Sequence, residues 1–226
     1  MKIDRDGVPF IAASALPAAA AAATGRRRLA AALAVLPVAV AAFFRDPDRA
    51  PDLGAPADPD VILAPADGKV MHVGTPQPGV APEGVWQQIS IFLSLADVHI
   101  NRTPMAGTIV SLGHRPGRYL AAFKAESAHE NERSELQVDA VVGGQHRSII
   151  YRQIVGLAAR RVVTRVGVGQ ELAAGQRIGL MRFGSRMDVF VPPGVQIEVE
   201  LGDKTVAGES VIARWPVAAG VPVGSS

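Results

Sequence analysis

Two stretches near the start of the chain carry no charge. Val8 to Thr24 reads VPFIAASALPAAAAAAT and Leu29 to Phe44 reads LAAALAVLPVAVAAFF, with Arg26, Arg27 and Arg28 between them. Each runs to roughly 16 residues, short of the roughly 20 a straight helix needs to span a bilayer. Each also holds a proline, Pro17 or Pro37, which interrupts the helical hydrogen-bond ladder. The pattern predicts a membrane-associating helical hairpin over residues 1–45, with Gly25 and the arginines at headgroup level and Arg45, Asp46 and Asp48 closing the second arm. A secretory signal fits less well, because its basic residues would precede the apolar run, whereas MKIDRDG is mixed and the arginines follow. A buried helical pair is the alternative in solution, although alanine forms helices well and buries little area.

After Phe44 the period changes. Residues 46–60 are rich in Pro and Asp, lack spaced apolar positions and read as an extended linker. From Val61 onward, short apolar or alternating runs recur between Gly, Pro and Asp: VILAPADGKVMHV, WQQISIFLSL, GTIVSLG, LQVDAVVGG, HRSIIYRQIVG, RRVVTRV, IGLMRFG, MDVFVP and VQIEVELGD. Helical spacing is confined to a turn around Leu95 to Val98 and a helix within Glu126 to Glu135. Short strands at close intervals predict a mainly β domain over residues 61–226. In its glycine-punctuated rhythm it looks like the barrel-sandwich hybrid of lipoyl and biotinyl domains, a likeness of shape only.

Composition narrows the chemistry. The 226 residues include no cysteine, so disulfides, thiolate nucleophiles and zinc–thiolate clusters are excluded. A net charge of +2 does not make the basic stripe of a nucleic-acid binder. The mean hydropathy of +0.20 owes much to the alanine-rich residues 8–44. The histidines show none of the spacings that hold metals, so no metal site is expected.

Three places carry candidate chemistry. Asp67-Gly68, in PADGKV, is either a hairpin turn or a placed carboxylate. His99, in DVHINRTP just past an expected strand, is a base or a structural histidine. Gly184-Ser185, in RFGSRMDVFVP, is a turn or something more specific. A hydroxyl following glycine closely approaches the preceding carbonyl, because glycine tolerates strained dihedrals and puts no side chain in the way. An N→O acyl shift there gives an ester, β-elimination breaks the chain, and hydrolysis of the resulting dehydroalanine leaves a pyruvoyl group. A chain without cysteine would thereby gain an electrophile.

FFRDP (Phe43 to Pro47), PADGKV, DVHINRTP, NER (Asn131 to Arg133) and FGS (Phe183 to Ser185) stand in the order found in phosphatidylserine decarboxylases. The chain resembles the short, pyruvoyl-dependent bacterial and archaeal class over nearly its whole length. The resemblance implies cleavage between Gly184 and Ser185 into a large chain, 1–184, and a small chain, 185–226, that stay together as a heterodimer. It implies an Asp67–His99–Ser185 relay, with His99 as base and Asp67 orienting it. It further implies a covalent pyruvoyl cofactor derived from Ser185, which would hold the substrate amine as a Schiff base. The partner would be phosphatidylserine in the membrane, with the enzyme peripheral or monotopic on the cytoplasmic face of the cell membrane. Arg182 and Arg186 flank the serine and are candidates for the lipid phosphate.

Two positions depart from the longer class. Its second histidine, three residues after the first, is replaced here by Arg102, so a division of labour between two histidines does not carry over. Its threonine after the reactive serine is Arg186, in keeping with the short class. Two rival readings remain: a membrane-tethered, non-enzymatic barrel-sandwich module, and a pyruvoyl decarboxylase of another amino-containing substrate.

Overall fold

The structure is a computed structural model that describes residues 2–50, 58–122, 124, 126–156, 161–182 and 185–216. The apolar front forms α1 (Val8–Ala23), α2 (Arg27–Leu33) and α3 (Val35–Phe43). Gly25, at φ +74°, turns the chain between the arms, a conformation glycine adopts without cost. The second arm divides at Ala34 because Pro37 has no N–H for the Leu33 carbonyl and its ring crowds that position. Both halves pack on α1, yet Val8, Leu16, Leu29, Val35, Leu36 and Val38 stay exposed. Among the described residues one helical stretch, Arg5–Ala23, is long and apolar enough to cross a membrane.

The base of the hairpin is fastened to the body. Strands β1 (Lys2–Ile3) and β2 (Arg45–Asp46) pair antiparallel. Asp4 caps the 3-10 turn Arg5–Gly7 by accepting the Asp6 N–H at 2.9 Å. Phe44, 1% exposed, lies so close to Gly7 that a Cβ there would sit 2.5 Å from its side chain.

The body is mainly β, as the pattern predicts. Its strands are β3 (Val61–Leu63), β4 (Gly68–Gly74), β5 (Gln87–Leu93), β6 (Ile100–Arg102), β7 (Gly107–Arg115), β8 (Arg133–Val142), β9 (Gln145–Val155), β10 (Val162–Thr164), β11 (Glu171–Leu172), β12 (Arg177–Met181), β13 (Ser185–Val191), β14 (Gln196–Ile197), β15 (Lys204–Thr205) and β16 (Val211–Arg214). Eight of them form one curled sheet in the order β11-β7-β8-β9-β13-β5-β4-β15. Two three-stranded sheets, β10-β12-β6 and β14-β16-β3, complete the body. The main core lies between the layers: Ile89, Ile91, Leu93, Leu136, Ile149, Met187 and Val189 of the large sheet meet Ile62, Ile178, Met181 and Ile212 of the small ones. On the other face of β13, Phe190 packs with Ile150, Ile154, Val80 and Ala128. That double covering buries every residue of the strand.

Three local expectations change. Asp67-Gly68 is not a hairpin turn, because β3 and β4 belong to different sheets. Gly68 is required there for another reason: at φ +154°, a Cβ would lie 2.2 Å from the Phe92 carbonyl oxygen. Ser185 is not in a turn but opens β13, paired with Leu93 on one side and Val155 on the other. The helix expected within 126–135 shrinks to α4 (Ser127–Glu130), since from Arg133 the chain pairs into the large sheet as β8.

The sheet β10-β12-β6 is sandwiched. Ile100, Leu180 and Val163 meet Phe43 and Phe44 of the hairpin base, while Asn101, Gly179 and Thr164 form the adjacent cross-strand row. At Gly179, φ is +152° and a Cβ would stand 1.9 Å from the Val163 carbonyl oxygen. Gly179→Ala is therefore expected to cost about 2 kcal/mol or more. Urea unfolding would read this as a lowered midpoint, and an unchanged midpoint would refute the tight approach.

Candidate active site

Ser185 is fully buried, and its Oγ has no hydrogen-bond partner among the described residues. Its cross-strand partners Leu93 and Val155 both belong to the main core, so its side chain faces the interior of the body. Gly184, the other half of the expected cleavage site, lies outside the described residues, as does Phe183.

The chain that follows Leu93 leads to His99 by one turn. Asp97 closes that turn, its Oδ2 accepting the Ser94 N–H at 2.7 Å and the Ser94 hydroxyl at 2.6 Å. His99 is 1% exposed, and its Nδ1 lies 3.0 Å from the Asp97 carbonyl oxygen. A neutral imidazole donates from Nδ1 to that carbonyl, which places the lone pair on Nε2. The Phe43 ring packs on the imidazole at a tilt of 38°, with centroids 4.2 Å apart. Burial pushes the His99 pKa down to about 4; Asp97 pulls it the other way and Arg45 adds to the depression. At neutral pH His99 is thus an uncharged proton acceptor.

Asp67 has other partners than the one expected. Arg49 Nη2 donates to its two oxygens at 3.1 and 2.8 Å, and the Ala207 N–H donates to Oδ1 at 2.8 Å. These bonds occupy the carboxylate, so in this structure the Asp97 carbonyl, not Asp67, orients His99. Asp67 instead ties the segment leaving the hairpin to the turn before β16, and Glu209 joins it through Arg49 at 3.5 Å. Arg102, where the longer class has histidine, is buried and donates to the carbonyls of Gly175 (2.8 Å) and Pro47 (3.3 Å), a fastening role.

The two arginines flanking Ser185 diverge. Arg186 follows the serine by one residue and so points to the opposite face of the sheet. It is fully buried, donating to Asp188 (2.6 Å), Gln77 (2.6 Å) and Ser90 (3.0 Å). The expectation that it meets a lipid phosphate is corrected by that burial. Arg182 keeps part of its side chain exposed, lying over the Phe10 ring at 5.2 Å with Asp6 3.6 Å away. Asp4 and Asp6 also bind Arg165, so the start of the chain sits on the approach to β13. Among the described residues no cluster of His, Asp or Glu could hold a metal ion.

Sequence reasoning passed over Asn101 and Gln153, both fully buried and joined by a bond of 2.9 Å from Gln153 Nε2 to Asn101 Oδ1. The available signal for Gln153 was a polar residue on the same alternation as the apolar Ile149, Tyr151 and Val155.

A buried serine without a hydrogen-bond partner among the described residues thus heads a central strand, and a neutral histidine follows one turn after that serine's cross-strand neighbour. The family model described as phosphatidylserine decarboxylase matches residues 37–213. The phosphatidylserine decarboxylase proenzyme of Geotalea uraniireducens is 37% identical over 95% of this chain and 97% of its own. That of Solibacter usitatus is 42% identical over 95% and 97%. That of Pelobacter propionicus is 44% identical over 76% and 74%. The chain belongs to the phosphatidylserine decarboxylase family.

The depressed pKa of His99 has a consequence for stability. The unfolded histidine takes up a proton near pH 6.5 and the folded one only near 4. Its contribution is complete above 6.5 and falls by roughly 3 kcal/mol as pH drops through that window. Urea unfolding at pH 7 and pH 4.5 should show a steeper acid loss in the wild-type chain than in His99→Gln. Equal losses would contradict the burial of a neutral imidazole.

Proposed function

We propose that the protein decarboxylates phosphatidylserine to phosphatidylethanolamine and CO2, after cutting itself ahead of Ser185 to make a pyruvoyl group. The observation that carries this reading is the match to proenzymes of that name along 95% of the chain, together with the buried Ser185 hydroxyl that no described residue engages. The surroundings suit such a group: Leu93 and Val155 beside Ser185 exclude water, and His99 close by in the chain's path is neutral. When present, a pyruvoyl group offers an electrophilic carbonyl to an amine and a sink for the electron pair left by CO2.

In self-processing, His99 Nε2 takes the Ser185 Oγ proton while the Asp97 carbonyl holds Nδ1. The Ser185 oxygen adds to the carbonyl of residue 184 and displaces the amide nitrogen, giving an ester. Loss of the Ser185 α-proton then breaks Cβ–Oγ, and water releases ammonia to leave the pyruvoyl end. In turnover His99 is the group placed to return a proton to the substrate carbon. Asp67 acts at one remove, holding Arg49 and the hairpin exit in place. Arg182 is the remaining candidate for the lipid phosphate, since its guanidinium is partly exposed.

The large and small chains, 1–184 and 185–226, would remain a heterodimer, because β13 is paired on both edges with strands of the large chain. The exposed apolar side chains of the hairpin would lie in the bilayer, on the cytoplasmic side, where the acyl chains of the substrate also stay.

Three measurements test this reading. The purified wild-type protein should show two chains by mass, the small one blocked at its N-terminus, whereas Ser185→Ala should remain whole at 23.6 kDa. Phosphatidylserine in detergent should yield the ethanolamine lipid; no such product, with activity on a soluble amino acid instead, would assign a different substrate. Phosphatidylserine-containing vesicles should carry the protein on flotation, and Leu16→Asp with Val38→Asp should leave it in solution.

A further inference from the structure

The entry of the hairpin carries a carboxylate held between two arginines. Asp6 Oδ2 accepts from Arg165 Nη2 at 2.5 Å, while its Oδ1 lies 3.6 Å from Arg182 Nη2, too far for a hydrogen bond. Each oxygen of one small anion thus faces a different guanidinium. The Nε of both arginines is buried and has no partner among the described residues. Arginine carries five N–H donors, so this pair offers more than one carboxylate uses, and a buried donor left unpaired costs stability.

Both arginines are held in place by something other than Asp6. Arg165 donates to the two oxygens of Asp4, each at 2.6 Å. Asp4 is buried and anchored in turn, its N–H donating to the Phe44 carbonyl at 2.9 Å and its Oδ1 accepting the Asp6 N–H. Arg182 lies over the face of Phe10, 5.2 Å from the centroid. The Asp6 side chain is partly exposed, and among the described residues it meets only the two arginines. It is therefore free to turn into water while the guanidiniums stay.

The pair sits where a lipid headgroup would enter. Met181 donates its N–H to the His99 carbonyl at 3.2 Å and faces the main core, so Arg182, next along the chain, faces the hairpin. Phe10, under its guanidinium, stacks on Phe44 at 5.5 Å, and Phe44 meets Phe43, the ring that packs on His99. Ser185 is three residues beyond Arg182, at most about 10 Å of chain. An arginine side chain, with the few bonds between a headgroup's phosphorus and its amine, covers that span.

We propose that Arg165 and Arg182 form the subsite for the phosphodiester of the lipid headgroup, and that Asp6 is a resident carboxylate that fills it until lipid arrives and then swings out. The proposal rests on the reading of phosphatidylserine as substrate and of Ser185 as the source of the reacting group. Charge agrees with it. Arg165 and Arg182 are balanced by Asp4 and Asp6, so the departure of Asp6 leaves one positive charge, which a phosphodiester monoanion matches. Shape agrees as well, since the two free oxygens of a phosphodiester repeat the two of the carboxylate and accept from a guanidinium in the same way. So does depth: with the apolar arms in the bilayer, the hairpin base lies at the level of the phosphates.

The product lipid tests the subsite, because phosphatidylethanolamine carries the phosphate and the amine but no carboxylate. Calorimetric titration of the purified protein with short-chain phosphatidylethanolamine, below its micelle concentration, should show binding about 10- to 100-fold weaker for Arg182→Gln than for the wild type. Asp6→Asn keeps the shape and removes the competing charge, and it should bind about 2- to 5-fold tighter. A merely structural role predicts otherwise, since loosening the hairpin entry would weaken binding in both variants. Wild-type affinity in Arg182→Gln would overturn the proposal, and so would unchanged or weaker binding by Asp6→Asn. If Arg182→Gln binds the product normally yet raises KM for phosphatidylserine, the arginine meets the serine carboxylate and the phosphate assignment falls. Should Arg182→Gln show no cooperative melting, Asp6→Asn decides. A wild-type protein that does not decarboxylate phosphatidylserine sinks the underlying reading; normal turnover with either overturning result sinks only the subsite.

Discussion

Everything at the site depends on the register of β13. The strand is paired on both edges, with β5 and with β9, and all seven of its residues are buried. A slip of one residue would carry Ser185 to the outer face and drive Arg186 and Asp188 into the apolar interior. The buried Arg186–Asp188 pair, with Gln77 and Ser90 around it, makes that slip costly, because both charges would lose their partners. Such a pair adds little net stability, and its effect is to discriminate one register from the next. The pairing of β13 with β5 and β9 runs from Ser185 onward, wholly on the small-chain side of the expected cut.

The apolar hairpin does more than present a greasy surface. Its base covers the small sheet β10-β12-β6, and Phe43 lies on His99, so the same aromatic pair that docks the hairpin also dries the histidine. Drying is what keeps the imidazole neutral. Three arginines of the body then fasten the two ends of the hairpin: Arg177 binds Asp46 at 2.8 Å and Asp48 at 3.1 Å and Arg102 reaches Pro47 at its exit, and Arg165 holds Asp4 and Asp6 at its entry. The part of the expected linker that the structure describes on the hairpin side, residues 46–50, is thus held against the body; residues 51–57 lie outside the described ones.

Most of the architecture was legible in the order of residue types. The two uncharged runs became helices, with the break in the second arm at Pro37, and the alternating runs after Val61 became strands. Ser185 and His99 stood out as candidates through the company they keep in FGS and DVHINRTP, and the structure buries both. Short strands such as β6, β11 and β15 were not, because two or three residues carry no period and their pairing is decided by what lies across from them. The partners of charged groups were equally hidden. Arg165 and Asp4 are 161 residues apart in the chain, Asp67 and Ala207 140, and no local spacing reports such a meeting.

What the sequence by itself determined is the division into an apolar hairpin and a β body, and the residue types available for chemistry without cysteine. Those follow from period and composition, which are local properties of the chain. Tertiary structure alone decided that Arg186 turns away from the serine, that Asp67 holds Arg49 and not His99, and that Asn101 meets Gln153 in the interior. Each of these depends on which face of a strand a side chain takes and on what distant group fills the space opposite. That is fixed by the register of paired strands and the packing of one sheet on another, and it exists only once the chain has closed on itself.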